Sequence, residues 1–452
     1  MTSPRRVLIV TLDTLTARMA GPAIRVWEMS RALTAEGHHV RLATFSTCER
    51  AGDGFVATRV TVDGFRSKVE ASEVVIVQGF IMETFPWLRD AEQFIVVDLY
   101  DPFHLESLEV EKFRPSPERH AALARALREL AVEAARGDFF ICASERQRDL
   151  WMGHLAACGR INPDTYDADP SLRSLLTVVP FGCSPEPAVQ TRHGIKGVVP
   201  GIAVDDSVVL WGGGVYNWFD PLTVVRAIDL ARQSVPGIRL FFLGMKHPNP
   251  DVPEMAMAWR TRSEADERGL TGTHVFFHES WVEYEDRVNY LMDADIGVSA
   301  HFDHVETAYS FRTRMLDYLW AGLPIVCSEG DAFGTLVAQE DLGAVVGFGN
   351  AEEMADAFVS ILGDESRAAE IRKRVHTVSA TYGWPTALKP LLDYCANPYR
   401  AADAANAGRL DPAMPPMARL RRDVAGIARA LRTGGLAEVV EKVKWRISRL
   451  RG

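Results

Sequence analysis

The 452-residue chain is short of several things, and each shortage excludes a class of protein. No apolar run approaches the roughly 20 residues that cross a bilayer as a helix. Arg5-Arg6-Val7-Leu8-Ile9-Val10 starts like a signal peptide, but Asp13 interrupts the run and no small-residue cleavage site follows, so a buried first strand is expected. The six cysteines (48, 142, 158, 183, 327, 395) form no CxxC pair and no zinc spacing. Cys142 and Cys327 stand inside apolar runs and read as buried thiols of a cytoplasmic protein. Basic charge is also short: 50 Lys+Arg against 60 Asp+Glu give −10, which argues against a nucleic-acid partner. HxH and HExxH spacings are missing, so no metal site is expected. A full GxGxxG is missing too, which disfavours a nicotinamide dinucleotide, and no cofactor is expected.

What is present is an ordinary globular composition, 47% hydrophobic and 24% charged, in a chain long enough for two or three domains. Short apolar runs alternate with helix-length segments, twice over. The first series predicts strands over 6–12, 39–45, 74–78, 94–98, 139–142 and 176–179, with helices over 23–36, 118–136 and 145–158; Gly37 stops the first helix. Proline and glycine then punctuate the chain from Pro180 to Gly201 without periodicity. A second series predicts strands over 207–211, 239–243, 274–278, 296–300, 324–327 and 344–346. Continuous apolar strands separated by helices mean parallel sheets covered on both faces. The expected fold is α/β, two doubly wound Rossmann-like domains facing a cleft, with ligands beyond the carboxyl ends of the strands. The domains are expected at 1–183 and 207–379, with a linker at 184–206, a helix at 380–396 crossing back onto the first domain, and a linker and tail at 397–452.

Three stretches could carry chemistry. Gly21-Pro22 opens a helix after the first strand, where glycine admits a ligand and free N–H groups suit an anion; the same pair also merely punctuates many turns. Gly212-Gly213-Gly214, then Asn217, follow the strand at 207–211 and suit a phosphate or a sugar, while Asp220-Pro221 reads as a helix cap. The most informative stretch runs from His301 to Pro324 and packs His301, Asp303, His304, Glu306, Arg312, Arg314 and Asp317 around a helix expected to begin near Ser310-Phe311. Arg312 and Arg314 in its first turn oppose the helix dipole unless an anion sits there, which suits a diphosphate. The alternative is a solvated basic turn paired with Glu306 or Asp303.

After Pro398 comes a Pro-rich segment and then a basic tail. Residues 418–452 hold ten Lys/Arg against three Asp/Glu, a net of +7, with Leu420, Val424, Ile427, Leu431 and a second apolar series from Leu436 to Leu450 at helical spacing. This pattern suits an amphipathic helix lying on an anionic membrane surface; packing on the protein's own acidic surface is the alternative.

Gly21-Pro22-Ala23-Ile24-Arg25 with Glu28, Val178-Val179-Pro180-Phe181-Gly182, Gly212–Gly214 and Leu316-Asp317-Tyr318-Leu319-Trp320-Ala321-Gly322-Leu323-Pro324 together resemble glycosyltransferases of family 4, over roughly residues 5–396. The resemblance implies a GT-B fold, a nucleotide-sugar donor held by the second domain, a glycan or lipid-linked acceptor held by the first, and retention of anomeric configuration without a metal. The family pairs two glutamates in its signature; here those positions fall on Tyr309 and Asp317. Asp317 would then bind the ribose, and Glu306 would replace the missing sugar-contacting acid. The family's basic pair beside the glycine turn is also missing, so Lys246, Arg312 and Arg314 are expected on the diphosphate, with Gly21, Gly213, Gly214, Asn217, Ser310 and Phe311 around the donor. Lys246 is otherwise only a loop lysine. Trp281 is placed at the nucleotide base or in the core. On the acceptor side the resemblance points to Arg25, Tyr100, Asp101 and His104, Tyr100 standing where the family has a catalytic histidine; capping a helix explains Asp101 equally well. Ser144-Glu145-Arg146 also fits both a cap and the family's inner turn. The expected reaction is sugar transfer from a nucleoside diphosphate to an acceptor hydroxyl, in surface polysaccharide or glycan assembly, at the inner face of the cytoplasmic membrane if the tail binds lipid. A sugar-nucleotide epimerase and an inactive GT-B binding scaffold are the alternatives.

Overall fold

The computed structural model describes residues 3–250, 252 and 254–405. The amphipathic tail expected at 418–452 lies outside the described residues. Seven parallel strands form the first sheet: β1 (Arg6–Thr11), β2 (His39–Thr44), β3 (Val56–Arg59), β4 (Val74–Gln78), β5 (Phe94–Asp98), β6 (Phe139–Cys142) and β7 (Leu176–Val178), in the order β3-β2-β1-β4-β5-β6-β7. Six more form the second: β8 (Ser207–Trp211), β9 (Ile238–Phe242), β10 (Val275–Phe277), β11 (Ile296–Ser299), β12 (Ile325–Ser328) and β13 (Gly343–Val346), ordered β10-β9-β8-β11-β12-β13. Every recorded strand pair is parallel.

The apolar runs explain the sheets. Val-Val-Ile-Val-Gln of β4 is buried at every position, as a strand covered by helices on both faces requires. In each sheet the order reverses beside its first strand, between β1 and β4 and between β8 and β11. The crevice beyond the carboxyl ends at such a reversal is where doubly wound sheets bind ligands. The turns entering the helices Gly21–Ala35 and Pro221–Ala231 lie there.

Helix ends follow the local chemistry. Asp220 caps the helix Pro221–Ala231 by accepting from the Thr223 N–H, with Pro221 in the first turn, as its sequence suggests. Ser144 caps Glu145–Ala157 through the Gln147 N–H. Gly37, with φ +88°, supplies the left-handed residue beyond the helix Gly21–Ala35. The helix expected to begin near Ser310 begins at Arg314 and runs to Ala321, and a separate short helix, Val305–Tyr309, precedes it. The break leaves Arg312 in the connection and Arg314 at the first helical position.

Between the sheets, the chain from 184 to 206 packs on the second half: Asp293 accepts from the backbone N–H groups of Gly194 and Ile195, both at 2.7 Å. The chain returns beside this first crossing. Cys183 N–H donates to the Tyr382 carbonyl at 2.8 Å, and Trp384 N–H donates to the Cys183 carbonyl at 3.1 Å. The approach is close enough that a Cβ on Gly182 would stand 2.7 Å from the Trp384 backbone. Tyr394, in the helix Lys389–Ala396, then stacks on Phe139 of the first sheet at 4.4 Å. Arg160 and Asp403, both fully buried, close the docking with a two-pronged ion pair at 2.8 and 2.9 Å.

Candidate active site

The two halves touch on both sides of the cleft. On one side Tyr284 N–H donates to the Ala17 carbonyl at 2.9 Å, and the Trp281 indole donates to the Met19 carbonyl at 3.0 Å. On the other, the Gln147 amide bridges the carbonyls of Tyr100 (2.7 Å) and Tyr309 (2.9 Å). Between them lies a cavity of about 470 Å³, an ordinary size for a small-molecule site. Gly21, Tyr100, Asp101 and Glu106 line it from the first half; the glycine turn, Trp281, Arg287, Ser310 to Arg314 and Asp317 line it from the second.

The glycine turn is held by the signature helix. Tyr318 is fully buried beneath it; the Gly212 N–H donates to the Tyr318 hydroxyl at 2.7 Å, and that hydroxyl donates to the Val298 carbonyl at 2.8 Å. A Cβ on Gly212 would stand 2.9 Å from the Tyr318 ring, and Gly213 has φ +115°, so both positions require glycine. This turn therefore offers bare backbone to the cavity.

Arg314 leaves its helix beside the turn. It is 7% exposed, donates to the Gly214 carbonyl at 2.8 Å and lies over the rings of Trp211 and Phe219, at 4.4 and 4.1 Å. Among the described residues no carboxylate pairs with it and its Nη1 is buried without a hydrogen-bond partner, and burial lowers its pKa to about 10. Arg312 contrasts with it: it grips Glu306 in a two-pronged pair at 2.9 and 2.7 Å, and the Ser310 hydroxyl donates to the same carboxylate. Glu306 is 1% exposed and does not line the cavity. The expected substitution of Glu306 for the missing sugar-contacting acid is thus not what the geometry offers: its carboxylate anchors Arg312.

Asp317 lines the cavity and accepts from Arg287 Nε at 3.0 Å. Arg287, which sequence reasoning missed, lies between the Tyr284 and Trp320 rings, at 3.9 and 4.7 Å. Nothing in the Asp286-Arg287-Val288 stretch distinguishes it from a surface arginine; only the fold brings it beneath the signature helix. Gly21, Gly213, Gly214, Trp281, Ser310, Phe311, Arg312, Arg314, Asp317, Tyr100 and Asp101 all line the one cavity.

Besides Glu306, four expected site residues fall elsewhere. Arg25 is fully buried, donating to both oxygens of Asp98 (2.7 and 2.9 Å) and to the Val179 carbonyl (2.8 Å), so it holds β5 and β7 together rather than touching an acceptor. His104 turns from the cavity to pack on Trp151, ring centroids 5.5 Å apart, and burial pushes its imidazole down to about 4. Asn217 is buried, its amide donating to the Glu109 carbonyl at 3.2 Å and accepting from the Met257 N–H, so it ties the halves together. Lys246 lines a second hollow, which meets the first at His247 and Trp281. Asp101 does not cap the helix Phe103–Val110, whose cap position is Pro102. Among the described residues no group of three or more His, Cys, Asp or Glu is placed to hold a metal ion. His301 instead pairs with Asp331 at 3.2 Å.

On the first half's wall, burial, Glu306 and Asp98 push the Asp101 carboxyl up to about 7, against the hydrogen bond from Glu106 and the charge of Arg312. Burial and then Asp101 hold Glu106 well above the usual carboxylate range. The site therefore has a cationic wall on the second half and an acidic wall on the first.

This architecture is that of the GT-B fold. Residues 206–364, in the second half, match the family model described as glycosyl transferases group 1. Among solved structures, it is similar to WaaG, a glycosyltransferase involved in lipopolysaccharide biosynthesis (14% identity, TM-score 0.61, covering 86% of this chain and 100% of that one). Sucrose-phosphate synthase from Thermosynechococcus elongatus gives 16% identity and TM-score 0.59 over 86% of this chain and 98% of that one. The Anabaena protein HepE in complex with UDP-glucose gives 12% and 0.58 over the same shares. No curated protein matches the chain.

Proposed function

We propose that the protein moves a sugar from a nucleoside diphosphate to an acceptor hydroxyl, with the diphosphate on the second half's wall and the acceptor on the first. Arg314 carries the reading. A buried guanidinium with no carboxylate partner is costly, and it faces a cavity beside bare glycine backbone and the open start of its own helix. A diphosphate supplies the missing anion, and the charge on the leaving group grows during transfer, so the same contacts favour reaction. Arg312 adds a second cation, fixed by Glu306 rather than by the ligand. Asp317 is placed to accept from ribose hydroxyls, held by Arg287. The complex of HepE with UDP-glucose makes uridine diphosphate sugars the first donors to test. Retention of configuration, metal independence and a surface-glycan acceptor follow from the family resemblance and complete the proposal.

A calorimetric screen of UDP-, GDP-, dTDP- and ADP-sugars tests it. One nucleotide class binds the wild type, and Arg314→Met weakens that binding roughly 10- to 100-fold. A wild type that binds none at millimolar concentration would sink the proposal; donor turnover without an acceptor would mark an epimerase. The basic segment 418–452 is proposed to hold the enzyme on anionic lipid, where each basic residue contributes about 1 kcal/mol. Full-length protein then sediments with anionic liposomes and a 1–410 truncation does not; equal sedimentation rejects the anchor.

A further inference from the structure

Asp101 ends the loop after β5, and Glu106 stands in the first turn of the helix that follows. Both line the cavity, and their carboxyl groups are hydrogen-bonded to each other. Two carboxylates cannot make that bond, because an ionised carboxylate only accepts; one of the pair carries a proton.

The surroundings leave no spare cation to neutralise both groups. Asp98, on β5, faces Asp101 and is already gripped by Arg25. Glu306, from the helix Val305–Tyr309, faces both carboxyls and is gripped by Arg312. Among the described residues Arg312 is the cation that acts on the pair, and it is shared with Glu306. Tyr100 and Tyr216, the phenols nearest the pair, are held neutral by burial. The helix bearing Glu106 is fixed at its other end by Asn217 of the second half, which holds the Glu109 carbonyl.

We infer that Glu106 is a positioning residue for glycosyl transfer: it keeps the proton, donates it to the Asp101 carboxylate, and so holds Asp101 as a singly charged partner for the acceptor hydroxyl. The inference rests on the glycosyl-transfer reading and deepens it on the acceptor side. No covalent step falls to either group.

The test is the pH profile of transfer at saturating donor. In the wild type the rate climbs as Asp101 ionises near pH 7, and Asp101→Asn abolishes that acid limb together with most of the rate. Glu106→Gln keeps an N–H donor at the same place, so its acid limb stays where the wild type has it. Glu106→Leu removes the donor and moves the limb upward by about one pH unit or more. A merely structural role would scale the whole profile without moving it. Coincident limbs in Glu106→Leu and the wild type, or a Glu106→Gln limb displaced like that of Glu106→Leu, would overturn the inference. Infrared difference titration needs no substrate and covers variants that fold poorly. A protonated carboxyl band persists above pH 8 in the wild type and is weaker in Glu106→Gln, the remainder belonging to Glu133, which burial also holds well above the usual carboxylate range; an unchanged band in Glu106→Gln overturns the pair. Donor binding is read separately. A wild type that binds no nucleotide sugar defeats the transfer reading, while the infrared result still decides the pair.

Discussion

Arg25 and Arg314 are both buried arginines in helices that begin at the cleft, one in each half, and their surroundings are opposite. Arg25 has a carboxylate matched to it prong for prong and a carbonyl besides. Arg314 has one carbonyl, two aromatic faces and no acid. A buried ion pair returns its desolvation cost inside the protein, whereas an unpaired charge returns it only when something else arrives. The first arrangement maintains a fold; the second, on the proposed reading, receives the diphosphate. Arg312 falls between them, paired with Glu306 yet lining the cavity.

Four substitutions sharpen or break this contrast. Arg25→Met strands Asp98 as a buried charge and costs roughly 3–5 kcal/mol of stability, read by denaturant unfolding. A loss below 1 kcal/mol would show that the pair is dispensable. Arg314→Met lowers transfer roughly 10²-fold or more while leaving stability equal or raised, since an uncompensated charge is removed; kinetics and unfolding on the same preparation check both halves. Arg312→Met lowers both, because Glu306 loses its partner and the cavity loses a cation. If Arg312→Met matched Arg314→Met in leaving stability intact, the distinction between paired and unpaired arginines would fail. The smallest effect belongs to Asp101. Its folded pKa lies above the unfolded value, at about 7, so the native state holds the extra proton between roughly pH 4 and 7, and the carboxyl's contribution to stability falls as pH rises through that window. Asp101→Asn removes this dependence, so its thermal midpoint gains on the wild type between pH 5 and pH 8; a constant gap would place the Asp101 pKa in its usual range.

Much of the architecture is legible in the residues. Uninterrupted apolar strands between helices announce two parallel sheets, and the glycine turns and the signature helix mark the cleft. β3 escapes because Val-Ala-Thr-Arg at a sheet edge is partly exposed and has no apolar run to advertise it. The site is legible where the local backbone carries it, as at Gly213, and illegible where a distant partner decides. Arg25 looks like an acceptor contact until the fold brings Asp98 to it. Arg312 and Arg314 look equivalent until Glu306 chooses one. Glu106 has no local mark at all. Lys246 was expected on the diphosphate because a lysine follows a strand, but the loop after β9 carries it to the neighbouring hollow.

The two places where the chain passes between the halves lie side by side, joined by the Cys183–Tyr382 and Cys183–Trp384 hydrogen bonds. Two tethers at one spot tie the halves at a single place, and the contacts across the cleft, Tyr284 to Ala17 and Gln147 to Tyr309, are the ones any opening would have to break. The acidic wall and the cationic wall are then the two jaws of one pair of tongs. On the proposed reading, a ligand that spans the two walls adds its own bonds to those contacts, so a donor on Arg314 and an acceptor on Asp101 each help hold the halves where the other needs them.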